Sequence, residues 1–242
     1  MKYSYIIAGL MAVGGALAGY AVAASEWSTE IQTEIRETPE LLSVVEEDGE
    51  PEDWFSINPV DDEIFGRIYG NSYKKDCSIP RGELRYLTVA HYDFNGEVVK
   101  GELICNALIA EDLIDIFRNL YNEKYPIERL VLIDEYGSDD IKSMQANNSS
   151  CFNYRVIAGS NKLSKHARGL AIDINPLYNP WVKQDNGVLK VSPEEGRPYA
   201  DRKNEFPYKI DRDDLCYKEF IRHGFKWGGD WTTIKDYQHF EK

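Results

Sequence analysis

Two β-rich runs, Leu84–Tyr92 and Glu97–Cys105, flank Asp93-Phe94-Asn95-Gly96. Asn-Gly between such runs predicts a hairpin, because both residues tolerate the positive φ of a tight turn. Apolar positions 108, 109, 113, 116, 117, 120 and 121 then recur at helical spacing. They predict an amphipathic helix from Asn106 to Tyr125 that ends before Pro126. Ile127–Ile133 reads as a strand, and Asp139–Ala146 as a short helix or turn. Further strands are expected at 152–158 and 169–175, and a last one at 236–241. Asp213–His223 reads as a helix N-capped by Asp211 or Asp213. Tyr178–Tyr208 is rich in Pro, Gly and charge and is long for a connector, so it is expected to form a wall of a substrate site. No repeats are visible. The pattern predicts an α+β fold, a mostly antiparallel sheet with flanking helices.

The N-terminus changes the picture. Lys2, the apolar stretch from Tyr5 to Tyr20 and Ala21-Val22-Ala23 give residues 1–24 the form of a signal peptide, with an uncleaved signal-anchor as the alternative. Export, and with it an extracytoplasmic site in the cell wall or periplasm, is the expectation either way. Between Glu26 and Glu63 stand 14 acidic residues and one basic residue, Arg36, so this segment carries the whole net charge of −13. Residues 25–62 therefore read as an acidic, solvated linker. A folded domain is expected over 63–242, and a chain trimmed to about Val60 is expected to fold. No basic stripe is present, which argues against a nucleic-acid partner. A monomer is expected. The four cysteines, Cys77, Cys105, Cys151 and Cys216, permit two disulfides in three pairings or four buried thiols, and without C-x-x-C spacing they disfavour a structural zinc knot.

The candidate chemistry lies in two segments. Ser164-Lys-His166-Ala-Arg-Gly169-Leu-Ala171-Ile-Asp173 supplies an imidazole, a turn and a carboxylate on a short strand. Asp173 is expected on the polar side of that strand, opposite Ile172 and Ile174, since side chains alternate. Trp227-Gly-Gly-Asp-Trp231 leads into Asp236-Tyr-Gln-His239. Two imidazoles and a carboxylate form a three-ligand set with a position left for water, and Asp236 beside His239 can serve as general base. Arg155 is a candidate for stabilising charge that develops in a transition state. Ser164 either hydrogen-bonds substrate or starts the turn. His91 and His223 read as structural.

These motifs resemble those of the zinc D-Ala-D-Ala carboxypeptidase family, which includes the vancomycin-resistance D,D-peptidases and the L-alanyl-D-glutamate endopeptidases. The S-x-H-x-x-G-x-A-x-D pattern is complete in Ser164, His166, Gly169, Ala171 and Asp173, and the terminal [DE]-x-x-H pattern stands as Asp236 and His239. The resemblance implies Zn2+ held by His166, Asp173 and His239, with Asp236 as the base, where many relatives have Glu. It also implies that Tyr154-Arg155 matches a Tyr-Arg pair ahead of the first ligand, with Tyr154 and Ser164 towards substrate and Arg155 on the oxyanion. The implied fold is Hedgehog/D,D-peptidase-like, with the metal at the open face of the sheet.

The resulting expectation is an exported zinc metallopeptidase acting on peptidoglycan stem peptides, first as a D-alanyl-D-alanine carboxypeptidase and second as an L-alanyl-D-glutamate endopeptidase. The rival of another class is a zinc-bearing cell-wall binding module without catalysis. Retention of Asp236 and Arg155 separates the two, because a binding module needs neither.

Overall fold

A computed structural model describes residues 50–242. The segment read as an export signal and most of that read as an acidic linker lie outside the described residues. The architecture is α+β, but the single sheet expected from the sequence is three small antiparallel ones.

The first sheet joins β1 (Ser56–Pro59), β2 (Leu84–Tyr92) and β3 (Val98–Asn106) in the order β1-β2-β3. The expected hairpin holds, with Leu84 opposite Asn106 and Tyr92 opposite Val98. Both faces of this sheet are covered, so β2 does not show simple alternation of buried and exposed residues. Leu87, Val89, Leu103 and Cys105 face the main core, while Leu84 and Ile104 face a second apolar cluster. Helix α1 (Asp62–Ile68) supplies Ile68 to that second cluster. The predicted amphipathic helix is a 3₁₀ turn, Ala107–Ile109, followed by α2 (Ala110–Asn122). Leu113, Ile116, Phe117 and Leu120 are fully buried at the i, i+3, i+4 and i+7 spacing of one helix face. Each such side chain contributes roughly 1.5–3 kcal/mol on burial.

β1 corrects the expected start of the domain. Ser56 pairs with Thr88 and Pro59 with Arg85, so the folded part begins within the segment read as linker. Acidic neighbours masked a short apolar set. Trp54 is buried, Phe55 meets Tyr121 edge-on at 5.8 Å and lies under Arg118, and Ile57 packs on the main core. A chain beginning at Val60 is therefore expected to melt several degrees below one beginning at Glu50, because it loses an edge strand and three aromatic or aliphatic anchors. Equal thermal midpoints for the two would place β1 outside the domain.

Two other predicted strands are absent, for one physical reason. From 127 to 133 the backbone is satisfied by scattered partners, backbone and buried side chain, instead of a ladder: Ile127 N donates to Tyr92 O, while Arg129 O and Leu130 O accept from Ser149 N and Glu102 N. Glu128 N donates to Asn175 Oδ1, Val131 N donates to Asn148 Oδ1, and Asn148 Nδ2 donates to Val131 O. From 152 to 158 successive amides diverge: Phe152 N donates to Ile104 O, Asn153 N to His166 O and Tyr154 N to Ser72 O. The expected turn at 139–146 is α3 (Asp140–Gln145), capped by Asp139.

The second sheet, in the order β4-β9-β7, joins β4 (Ala171–Asp173), β7 (Lys226–Trp227) and β9 (His239–Glu241). Helix α4 (Leu215–Arg222) precedes β7. Its N-cap is Asp214, not Asp211 or Asp213, and accepts from Cys216 N and Tyr217 N. Ile172 and Phe240 pair across the sheet, and Phe240 stacks on Phe220 of α4 at 4.3 Å. That apolar pair fixes which face of the sheet is buried. The third sheet pairs β5 (Trp181–Asp185) with β6 (Val188–Ser192) and with β8 (Lys235–Asp236). The expected last strand is thus split, β8 in this sheet and β9 in the second. The four cysteines are free thiols, three of them buried. Among the described residues no helix is long and apolar enough to cross a membrane.

Candidate metal centre and active site

With Ile172 and Phe240 turned into the core, Asp173 and His239 must face the other way, and they stand directly opposite each other in the register. His166 arrives from the 3₁₀ turn His166–Arg168. Ser164 starts that turn, its Oγ accepting from Ala167 N at 3.2 Å. Gly169 closes it with φ +65°, and a Cβ there would sit 2.6 Å from Asn106 N. The same approach lets Asn106 N donate to Gly169 O at 2.8 Å, which ties the turn to the end of β3. Gly169→Ala is expected to destabilise the fold by about 1–3 kcal/mol, because it adds left-handed strain to a backbone clash, and to weaken metal uptake by moving His166. A thermal melt with a zinc titration checks both; an unchanged pair of values would separate the turn from the site.

The three side chains converge. His166 Nε2 lies 3.1 Å from His239 Nδ1 and 3.3 Å from Asp173 Oδ2, and His239 Nδ1 lies 3.0 Å from Asp173 Oδ1. One ligand atom from each lies within 4.8 Å of the others. The outward nitrogens are already committed. His166 Nδ1 is 2.7 Å from the Cys151 carbonyl, an acceptor only, so it carries the proton and donates. His239 Nε2 donates to Glu241 Oε2 at 3.3 Å. Both imidazoles therefore turn their remaining nitrogen towards Asp173, the arrangement in which outer partners orient metal ligands. Two buried imidazoles and one carboxylate are a borderline N/O donor set that fits zinc.

The field of the site is strongly coupled. Burial opposes ionisation of Asp173, yet His166 and His239 hold it well below the usual carboxylate range. Burial lowers His239, but hydrogen bonds to Asp173 and Glu241 outweigh it and raise the imidazole to about 10. Asp236 moves the other way. Burial, followed by the Asp173 carboxylate, pushes it up to about 6. Two carboxylates in one site are thus driven apart, one held as an anion and one near neutrality, which is how acid and base roles divide. Gln238 Nε2 donates to Asp236 Oδ1 at 3.1 Å, and β8 anchors the residue opposite Trp181.

These groups lie in a cleft of about 1260 Å³ whose lining includes His166, Asp173, Asp236, His239, Ser164 and Arg155. Arg155 pairs with Asp140 at the start of α3. Tyr154, its neighbour, is not brought to the cleft. Successive side chains of an extended segment point to opposite sides, and the Tyr154 hydroxyl meets Ser78 Oγ at 3.1 Å beside the second apolar cluster. The expected wall from Tyr178–Tyr208 is there, as Trp181, Lys183, Lys190 and Ser192 line the cleft. Sequence reasoning missed Asp140, the carbonyl of Cys151 and the fact that this wall is a hairpin, whose signal was the Asn186-Gly187 pair between β-rich runs. His91 and His223 are outside the cleft lining.

Two imidazoles and a carboxylate, with a second carboxylate held near neutrality in the same cleft, are the donor set and acid-base pair that hydrolytic metal centres use. Residues 158–242 match the model of the D-alanyl-D-alanine carboxypeptidase family. The family match thus falls on the segment that carries His166, Asp173, Asp236 and His239, the same residues on which the resemblance was drawn. Tyr154 and Arg155 lie just ahead of the matched residues. No curated protein and no solved structure matches the chain.

Proposed function

We propose that the chain is an exported zinc metallopeptidase that hydrolyses peptidoglycan stem peptides, acting first as a D-alanyl-D-alanine carboxypeptidase. The observation that carries this reading is the convergence of His166, Asp173 and His239 beside Asp236 within the family-matched segment. The form of residues 1–24 supports export. Zinc, when bound by the triad, supplies Lewis acidity towards a carbonyl oxygen and lowers the pKa of water towards neutrality.

The chain's own residues do the rest. Asp236 takes the proton of the attacking water and returns it to the leaving amine, a shuttle suited to a carboxyl group raised towards neutral pH. Arg155, fixed by Asp140 at the cleft wall, meets negative charge as it develops on the scissile carbonyl oxygen. The Cys151 carbonyl and Glu241 orient the imidazoles. Incubating the protein with defined muropeptides and reading product masses tests the proposal. Release of a single alanine from a pentapeptide stem is the expected result. Cleavage between the first two stem residues would assign the endopeptidase activity, and no product from any stem would favour a binding module.

A further inference from the structure

The hairpin of β5 and β6 presents one face to the cleft. Trp181 pairs with Ser192 and Lys183 with Lys190, so these four side chains share a face, and all four line the cleft. Val182, between them in sequence, is buried on the other side. Lys183 and Lys190 stand directly opposite one another, a relation in which like charges oppose strand pairing. Asp185 reaches Lys190 at 2.5 Å, and Lys183 has no ion-pair partner among the described residues. Asp185 is the carboxylate whose field both lysines share, so one anion is set against two facing cations on an exposed hairpin.

Their position gives them a use. Trp181 pairs with Asp236 across β5 and β8. Lys183 lies two residues further along β5, about 7 Å at the rise of a strand. That is the span of two residues of an extended peptide laid along the hairpin. We infer that Lys183 and Lys190 form a carboxylate subsite that selects peptides carrying an anionic group about two residues beyond the one that donates the scissile carbonyl. The inference rests on the peptidase reading above, and since a carboxypeptidase leaves one residue on the C-terminal side, the subsite falls on the N-terminal side. Trp181, on the same face, offers an apolar surface between this subsite and Asp236.

The test uses two probes, acetyl-Glu-Gly-D-Ala-D-Ala and its Gln twin, with the full zinc-loaded chain. Cleavage is followed by mass spectrometry, and equilibrium binding by calorimetry with Asp236→Asn as the common background, so that the probes are not consumed. The Glu peptide is expected to bind roughly five- to tenfold more tightly at low ionic strength, a preference that shrinks as salt screens it. In Lys183→Gln/Lys190→Gln both peptides are expected to bind alike, and Lys183→Arg/Lys190→Arg restores the preference. Equal binding with both lysines in place, or a preference that survives the Gln pair, overturns the subsite. Preference without cleavage would sink the carboxypeptidase reading and leave the subsite standing. Cleavage without preference would do the reverse, and neither would sink both.

Discussion

Asp236→Asn is expected to keep its zinc and to lose turnover by roughly 10²–10⁴-fold, the range for removal of a general base. The amide preserves size and the Oδ1 acceptor that Gln238 uses, so the cleft should keep its shape. What disappears is basicity. The rate of the wild-type enzyme should fall as pH drops through the pKa of Asp236, since only the anion accepts a proton. That carboxyl stands at about 6 in the chain's own field, and a cation held by the triad draws it lower. The acid limb of kcat/KM should therefore lie at or below about pH 6 and be absent from the variant's residual activity. The nearby carboxylates are committed elsewhere, Glu241 to His239 and Asp230 to Arg212. Full activity in Asp236→Asn would remove general-base catalysis by this residue, and loss of zinc would make Asp236 a ligand.

The site was more legible in the sequence than the sheets around it. The cluster of His166, Asp173 and His239 could be read because Ile172-Asp173-Ile174 encodes which side of a strand is buried, and the structure keeps both isoleucines in the core. The hairpin at Asn95-Gly96 and the helix before Pro126 were legible because turn chemistry and periodicity are local signals. The runs at 127–133 and 152–158 were not. Their composition suits strands, but their amides are claimed by Asn148, Asn175 and scattered carbonyls brought in by the fold. No window around either run contains those partners. β1 was hidden for the opposite reason, as its acidic flank outweighed Trp54 and Ile57. Tyr154 shows the limit of motif transfer, because its side of the chain was set by which neighbour, Tyr154 or Arg155, faces the cleft.

Removing either imidazole should weaken zinc binding by at least about 10²-fold, more than the 10–100-fold typical of losing an outer partner. In His239→Ala, Asp173 loses the group that accompanies it in the register, and its largely buried carboxylate is left with His166 alone. In His166→Ala, the Cys151 carbonyl loses its donor as well. Metal uptake also carries a proton signature. Without metal, His239 is raised to about 10, so at neutral pH it holds a proton that must leave before Nδ1 can coordinate. Zinc affinity of the wild-type chain should therefore rise with pH between about 6 and 9. Calorimetry in buffers of different ionisation enthalpy should read about one proton released per zinc near pH 7. Glu241→Gln removes one of the three carboxylates that raise His239, so the pH dependence should move to lower pH while affinity falls by about 10–100-fold. Zinc bound at full strength by both alanine variants would show that the metal, if held at all, is held elsewhere. Uptake without proton release would remove His239 from the ligand set even if the alanine variants bound weakly.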